Sequence, residues 1–101
     1  MDSNGEGDRL LALGRALSCR VRLAVLQVLT EQEDASVGEL VSRTGVTQPN
    51  MSNHLGVLRS AGLVTCRRQG RVVRYRLASP VVAGLVASLT ELAGDRPGST
   101  A

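Results

Sequence analysis

Between Ser36 and Gly62 the chain holds two helix starts and two helix stops, close enough that two short helices must meet at a tight corner. Ser36-Val37-Gly38-Glu39 has the spacing at which a serine side chain and a glutamate three residues on cap each other's backbone N–H groups. That box opens a short helix with Leu40 and Val41 inward, and Gly45 falls where a left-handed residue ends it. Only Val46 separates this glycine from Thr47, a second cap, and the helix that follows is expected from Gln48 to Ala61, closed by Gly62. Two short helices across a glycine turn make a helix-turn-helix.

The flanking segments extend the pattern. Asp8 caps a first helix on which Leu10, Leu11, Leu13 and Leu17 recur at helical spacing, and Ser18 caps a second, from about Cys19 to Thr30. Val21, Val25, Val28 and Leu29 form the buried stripe of the second helix, with Leu26 beside it, and Glu31 to Asp34 form a polar link. After the helix-turn-helix, Leu63–Arg68 and Arg71–Leu77 are strand-like runs around a two-residue Gln69-Gly70 turn. Val73, Tyr75 and Leu77 share one face of the second run, and Val72, Arg74 and Arg76 share the other. Ser79 and Pro80 then start a last helix whose Val82, Leu85, Leu89 and Leu92 form either a core stripe or a seam for a partner helix. The expected organisation is a flexible N-terminus over 1–7, one domain over 8–94 and a disordered tail over 95–101. With one tyrosine and no Phe or Trp, the core must be aliphatic.

Charge placement narrows the function. The formal net charge is only +3, yet residues 40–90 contain no acid and carry Arg43, Arg59, Arg67, Arg68, Arg71, Arg74 and Arg76. An acid-free half with five arginines between positions 67 and 76 is the footprint of a polyanion-binding surface. The absence of lysine is compatible with codon bias as well as with arginine's fit to phosphate and base edges. A single histidine and no acid in that half leave no general acid–base pair there, so an enzyme is not expected. The acidic, polar opening MDSNGEGDR is unlike a secretory signal, and no apolar run is long enough to span a bilayer; a cytoplasmic protein with no membrane partner is expected.

The second helix of a helix-turn-helix reads the major groove. After Thr47, Met51, Leu55 and Leu58 point inward, which leaves Gln48, Pro49, Asn50, Ser52, Asn53, Gly56 and Ser60 outward. Gln48, Asn50, Ser52 and Asn53 are the residues expected to specify bases, and Arg59, Arg68, Arg71 and Arg74 those expected to hold phosphates. Gly56 lacks a side chain where the helix would approach the nucleic-acid backbone. His54 is assigned to packing or a phosphate contact in preference to metal ligation. Cys19 and Cys66 are small apolar fillers unless the fold or a dimer partner brings their Cα atoms within about 7 Å.

The stretch TQPNMSNHLGVLRSAGLV at 47–64, RRQGRVVRYRL at 67–77 and LGRALSCRVRLAVLQVL at 13–29 resemble the ArsR/SmtB family of bacterial winged-helix regulators, over most of residues 9–93. The resemblance implies a mainly α winged helix-turn-helix with a small β-hairpin, in which 48–61 is the recognition helix and 67–76 the basic wing. It further implies a homodimer built on the first and last helices, placing Leu10, Leu13, Leu17, Leu85, Leu89 and Leu92 at the interface, that binds a palindromic double-stranded DNA operator, as a repressor rather than an activator. Family members respond to effectors, often metals, but the usual ligand sets are not matched. Ser36–Leu40 has no cysteine, the last helix offers only Glu91, and Val57 and Ala61 stand where one subgroup has cysteines. No cofactor is therefore assigned and the effector is open. The alternatives are a winged helix acting with a partner regulator, and a nickel- or zinc-responsive regulator with a nonstandard site that uses the acidic N-terminal residues.

Overall fold

A computed structural model describes residues 2–94, with the side chains of 5–94. The order is α1 (Asp2–Leu17), α2 (Arg20–Glu31), β1 (Asp34–Ser36), α3 (Val37–Thr44), α4 (Gln48–Ser60), β2 (Val64–Gln69), β3 (Val72–Leu77) and α5 (Pro80–Gly94). Five helices accompany a small antiparallel sheet of order β1-β3-β2, which is the winged helix-turn-helix arrangement.

The glycine-turn logic holds at residue level. Ser36 Oγ accepts from Glu39 N at 3.1 Å while Glu39 Oε1 accepts from Ser36 N at 2.9 Å, closing the capping box. Gly45 ends α3 at φ 76°, a conformation that glycine adopts without a Cβ penalty. Thr47 is the N-cap of α4 by backbone, although its side chain makes no capping bond.

Elsewhere the boundaries differ from expectation. α1 is already helical at Asp2, so the segment 2–7 expected as a flexible lead-in forms its first turns, and Asp8 lies inside the helix instead of capping it. Cys19, not Ser18, is the N-cap of α2, and its side chain makes no capping bond. The polar link gives way to a third strand: Glu33 adopts φ 66°, Asp34 N donates to the Gln32 carbonyl at 2.6 Å, and β1 then pairs with β3 through Ala35↔Tyr75. The hairpin turn is Gly70-Arg71, one residue later than expected, because Gln69 pairs with Val72 and Gly70 supplies the positive φ of 65°. The tail over 95–101 lies outside the described residues.

The core is aliphatic. Val25, Leu26, Leu29, Leu40, Met51, Leu55 and Leu58 are its largest fully buried side chains, joined by Ala16 from α1 and by Val82 and Val86 from α5. The last-helix stripe therefore splits: Val82 faces the core together with Val86, whereas Leu85 and Leu89 are half-buried and Leu92 is exposed. Among the described residues no helix is long and apolar enough to cross a membrane.

Candidate nucleic-acid interface

α4 is seated by Met51, Leu55 and Leu58, all at 1% exposure or less. With those three inward at 3- and 4-residue spacing, the opposite side is forced outward. Gln48, Pro49, Asn50, Ser52 and Asn53 are all exposed, as are Gly56 and Ser60. A Cβ built at Gly56 would meet nothing within 4 Å, so no packing within this protomer requires a glycine there. The face offers amides and two hydroxyls, the donor–acceptor sets that read base edges.

The arginines fall into two groups that linear charge counting does not separate. The fold carries acids from 31–39 onto the acid-free half. Arg43 Nη2 lies 2.8 Å from Glu31 Oε1, and Arg76 Nη2 lies 3.9 Å from Glu33 Oε2. Arg74 is held most tightly: Nη2 is 2.8 Å from Asp34 Oδ1 and 3.2 Å from Glu39 Oε1, and Nε donates to Asp34 at 3.0 Å. Its affinity for the proton is raised, first by the hydrogen bond to Asp34 and further by the charges of Asp34 and Glu39, against the opposing effect of burial. Arg74, expected from the sequence as a phosphate ligand, is a half-buried tie between β3, β1 and the capping box of α3. Alternation along the strand reports which face a residue occupies, not what the fold brings to that face.

Arg59, Arg67, Arg68 and Arg71 form the second group. All four are exposed, and none has a carboxylate partner among the described residues. They occupy the last turn of α4, strand β2 and the hairpin turn. Arg67, which sequence reasoning counted but did not assign a contact, belongs with them. The turn's one-residue shift places Arg71 at the tip of the hairpin.

Two further polar sites lie behind this surface. Tyr75 sits between Ala35 and Cys66 in the register of the sheet, and burial, with the neighbouring Cys66 thiol, raises its phenol above the ordinary range. Cys19 Sγ lies 3.9 Å from His54 Nδ1. Both cysteines are free thiols with separate neighbours. Among the described residues no three His, Cys, Asp or Glu side chains gather as a metal ion would require, and the residues present do not fit any of the ligand sets named above.

The six leucines expected at a dimer contact lie on α1 and α5 with their outer parts uncovered. Leu10 is 70% exposed and Leu92 70%, while Leu13, Leu17, Leu85 and Leu89 are half-buried. Leu11 at 56% and Val81 at 79% extend the same two helices' exposed apolar surface.

Comparison with known proteins agrees with this geometry. A helix-turn-helix domain family matches residues 17–67. The transcriptional repressor SmtB of Mycobacterium tuberculosis is 41% identical over 95 residues, covering 94% of this chain and 65% of its own. The biofilm growth-associated repressor of Xylella fastidiosa is 40% identical over 88 residues, covering 87% of this chain and 76% of its own. Among solved structures, the homodimeric winged helix-turn-helix DNA-binding domain of a possible ArsR-family regulator from Mycobacterium bovis superposes with a TM-score of 0.87 at 31% identity, covering 93% of this chain and 86% of that one. The chain spans 64% to 65% of the length of the Mycobacterium tuberculosis relatives it matches.

Proposed function

The chain belongs to the ArsR/SmtB family of winged-helix regulators, and from that premise we propose that it is a sequence-specific DNA-binding transcription regulator, acting as a homodimeric repressor on a palindromic operator. α4 enters the major groove, where Gln48, Asn50, Ser52 and Asn53 read base edges and Pro49 sets the first turn. The hairpin lies on the backbone or the adjacent minor groove and presents Arg68 and Arg71, with Arg67 and Arg59 beside it. The observation that carries this reading is the polar, acid-free face of α4 set beside four arginines that no acid among the described residues neutralises.

The second copy covers α1 and α5, where Leu10, Leu11, Val81 and Leu92 stand exposed. No catalytic role is proposed. With no ligand set gathered among the described residues, no metal-dependent step is derived.

An anaerobic mobility-shift titration tests the reading on the DNA upstream of the chain's own gene against a scrambled duplex, across a salt series and with metals and thiol oxidants added in turn. Four free arginines per protomer predict a log affinity that falls with log salt at a slope of up to roughly −7 for the dimer. Equal affinity for the two duplexes would overturn sequence-specific recognition. A flat salt dependence would overturn the arginine clamp. An additive that changes the operator affinity identifies the effector.

A further inference from the structure

His54 is the one titratable side chain on the inward-leaning flank of α4, next in sequence to the proposed reader Asn53. The nearest partner of its ring is an arginine, with the Cys19 thiol farther off at 3.9 Å from Nδ1. Arg22, on the first turn of α2, donates Nε to the Ala16 carbonyl at 2.8 Å and Nη2 to the Arg15 carbonyl at 3.0 Å, both at the end of α1. Its remaining amino group, Nη1, lies 3.1 Å from His54 Nδ1. A guanidinium only donates, so Nδ1 accepts and the neutral ring carries its proton on Nε2. No buried side-chain nitrogen or oxygen lacks a partner among the described residues, and none partners Nε2, so that N–H reaches solvent.

We propose that Arg22 is a positioning residue for DNA reading: clamped on the last carbonyls of α1, it holds His54 and so fixes the roll of α4 relative to α1. The proposal rests on α4 being the reading helix. Met51, Leu55 and Leu58 bury one side of α4 by apolar packing, which is non-directional, so a directional contact on the flank adds a restraint on its roll. A hydrogen bond at the flank supplies that restraint. Because α1 carries exposed Leu10 and Leu11, the same link ties the reading face to the surface that a second copy covers, and hence to the spacing of the two reading helices. The task needs a fork that reaches three acceptors on two helices at once. Lysine, a point donor, cannot do this.

The test uses the full chain with Arg22→Lys, His54→Ala and the double variant, each checked for folding by circular dichroism. In DNA-free wild type, imidazole nitrogen NMR is expected to show one neutral tautomer with the proton on Nε2, and mixed tautomers in Arg22→Lys. In anisotropy titrations each single variant is expected to lose about 10-fold on the operator and nothing on scrambled duplex, with the salt slope unchanged, and the double variant is expected to be no worse than either single. Losses that add, an equal loss on both duplexes, a slope lower by about one, or a wild-type ring protonated on Nδ1 would each overturn the proposal. A wild type with no operator preference removes the proposed function and this inference with it. A wild type with preference and unimpaired variants removes the inference alone.

Discussion

Arg71 and Arg74 lie on one hairpin and meet opposite surroundings. Arg71 is at the exposed turn with no carboxylate partner among the described residues, whereas Arg74 is closed between Asp34 and Glu39. Arg71→Ala is therefore expected to lower the salt slope of DNA binding by about one unit per protomer and to leave the melting midpoint in place. Arg74→Ala is expected to do the reverse, with an unchanged slope and a lower midpoint, because two carboxylates lose their partner; a salt-series titration and a thermal melt distinguish the two. The exposure of Arg71 was legible from the hairpin pattern. The fate of Arg74 was not, since its partners are 40 and 35 residues away and nothing local announces them. Glu33 makes a similar point about backbone. Its φ of 66° holds a non-glycine residue in a left-handed turn, and its ion pair with Arg76 spans 3.9 Å at the surface. Glu33→Gly is expected to raise stability by about 0.5 kcal/mol, the relief of the left-handed conformation exceeding the lost surface pair and the added unfolded-state entropy. A lower melting midpoint in this variant would show that the pair matters more.

At the scale of elements, legibility followed how local the determining interaction was. The capping box of α3 closes over four residues, and the sequence spelled it out; Ser36→Ala is expected to cost about 1 kcal/mol in chemical denaturation. The buried line of α4 repeats at helical spacing, so Met51, Leu55 and Leu58 were identifiable before any coordinates. Leu58 is fully buried in the aliphatic core, and Leu58→Ala is expected to destabilise by about 2–5 kcal/mol. β1 was invisible for the opposite reason. Asp34, Ala35 and Ser36 have poor strand propensity, and the segment is extended only because β3, about forty residues downstream, offers it hydrogen-bonding partners. That strand delivers Asp34, and the capping box just after it delivers Glu39, to Arg74. The strand that local propensity does not announce thus supplies the partners of Arg74.

On the scale of the whole molecule, the protomer is open. Its radius of gyration is 14.7 Å, against about 13 Å for a compact domain of this length. On α1 and α5, Leu10, Leu11, Val81 and Leu92 stand uncovered by any described residue. Leu92→Glu is expected to leave the circular dichroism spectrum intact, to convert a dimer into a monomer by analytical ultracentrifugation at micromolar concentration, and to weaken operator binding at least about 10-fold, since two half-sites are no longer held together. A dimer that survives this change would move the interface elsewhere. The register of the sheet has a further, optical consequence. Tyr75 is the chain's only strongly absorbing aromatic ring, and it stands where β1, β2 and β3 meet, opposite Ala35 on one side and Cys66 on the other. The protein's native ultraviolet emission is therefore a single-site signal from the root of the hairpin, and an unlabelled sample reports on that joint as DNA is added.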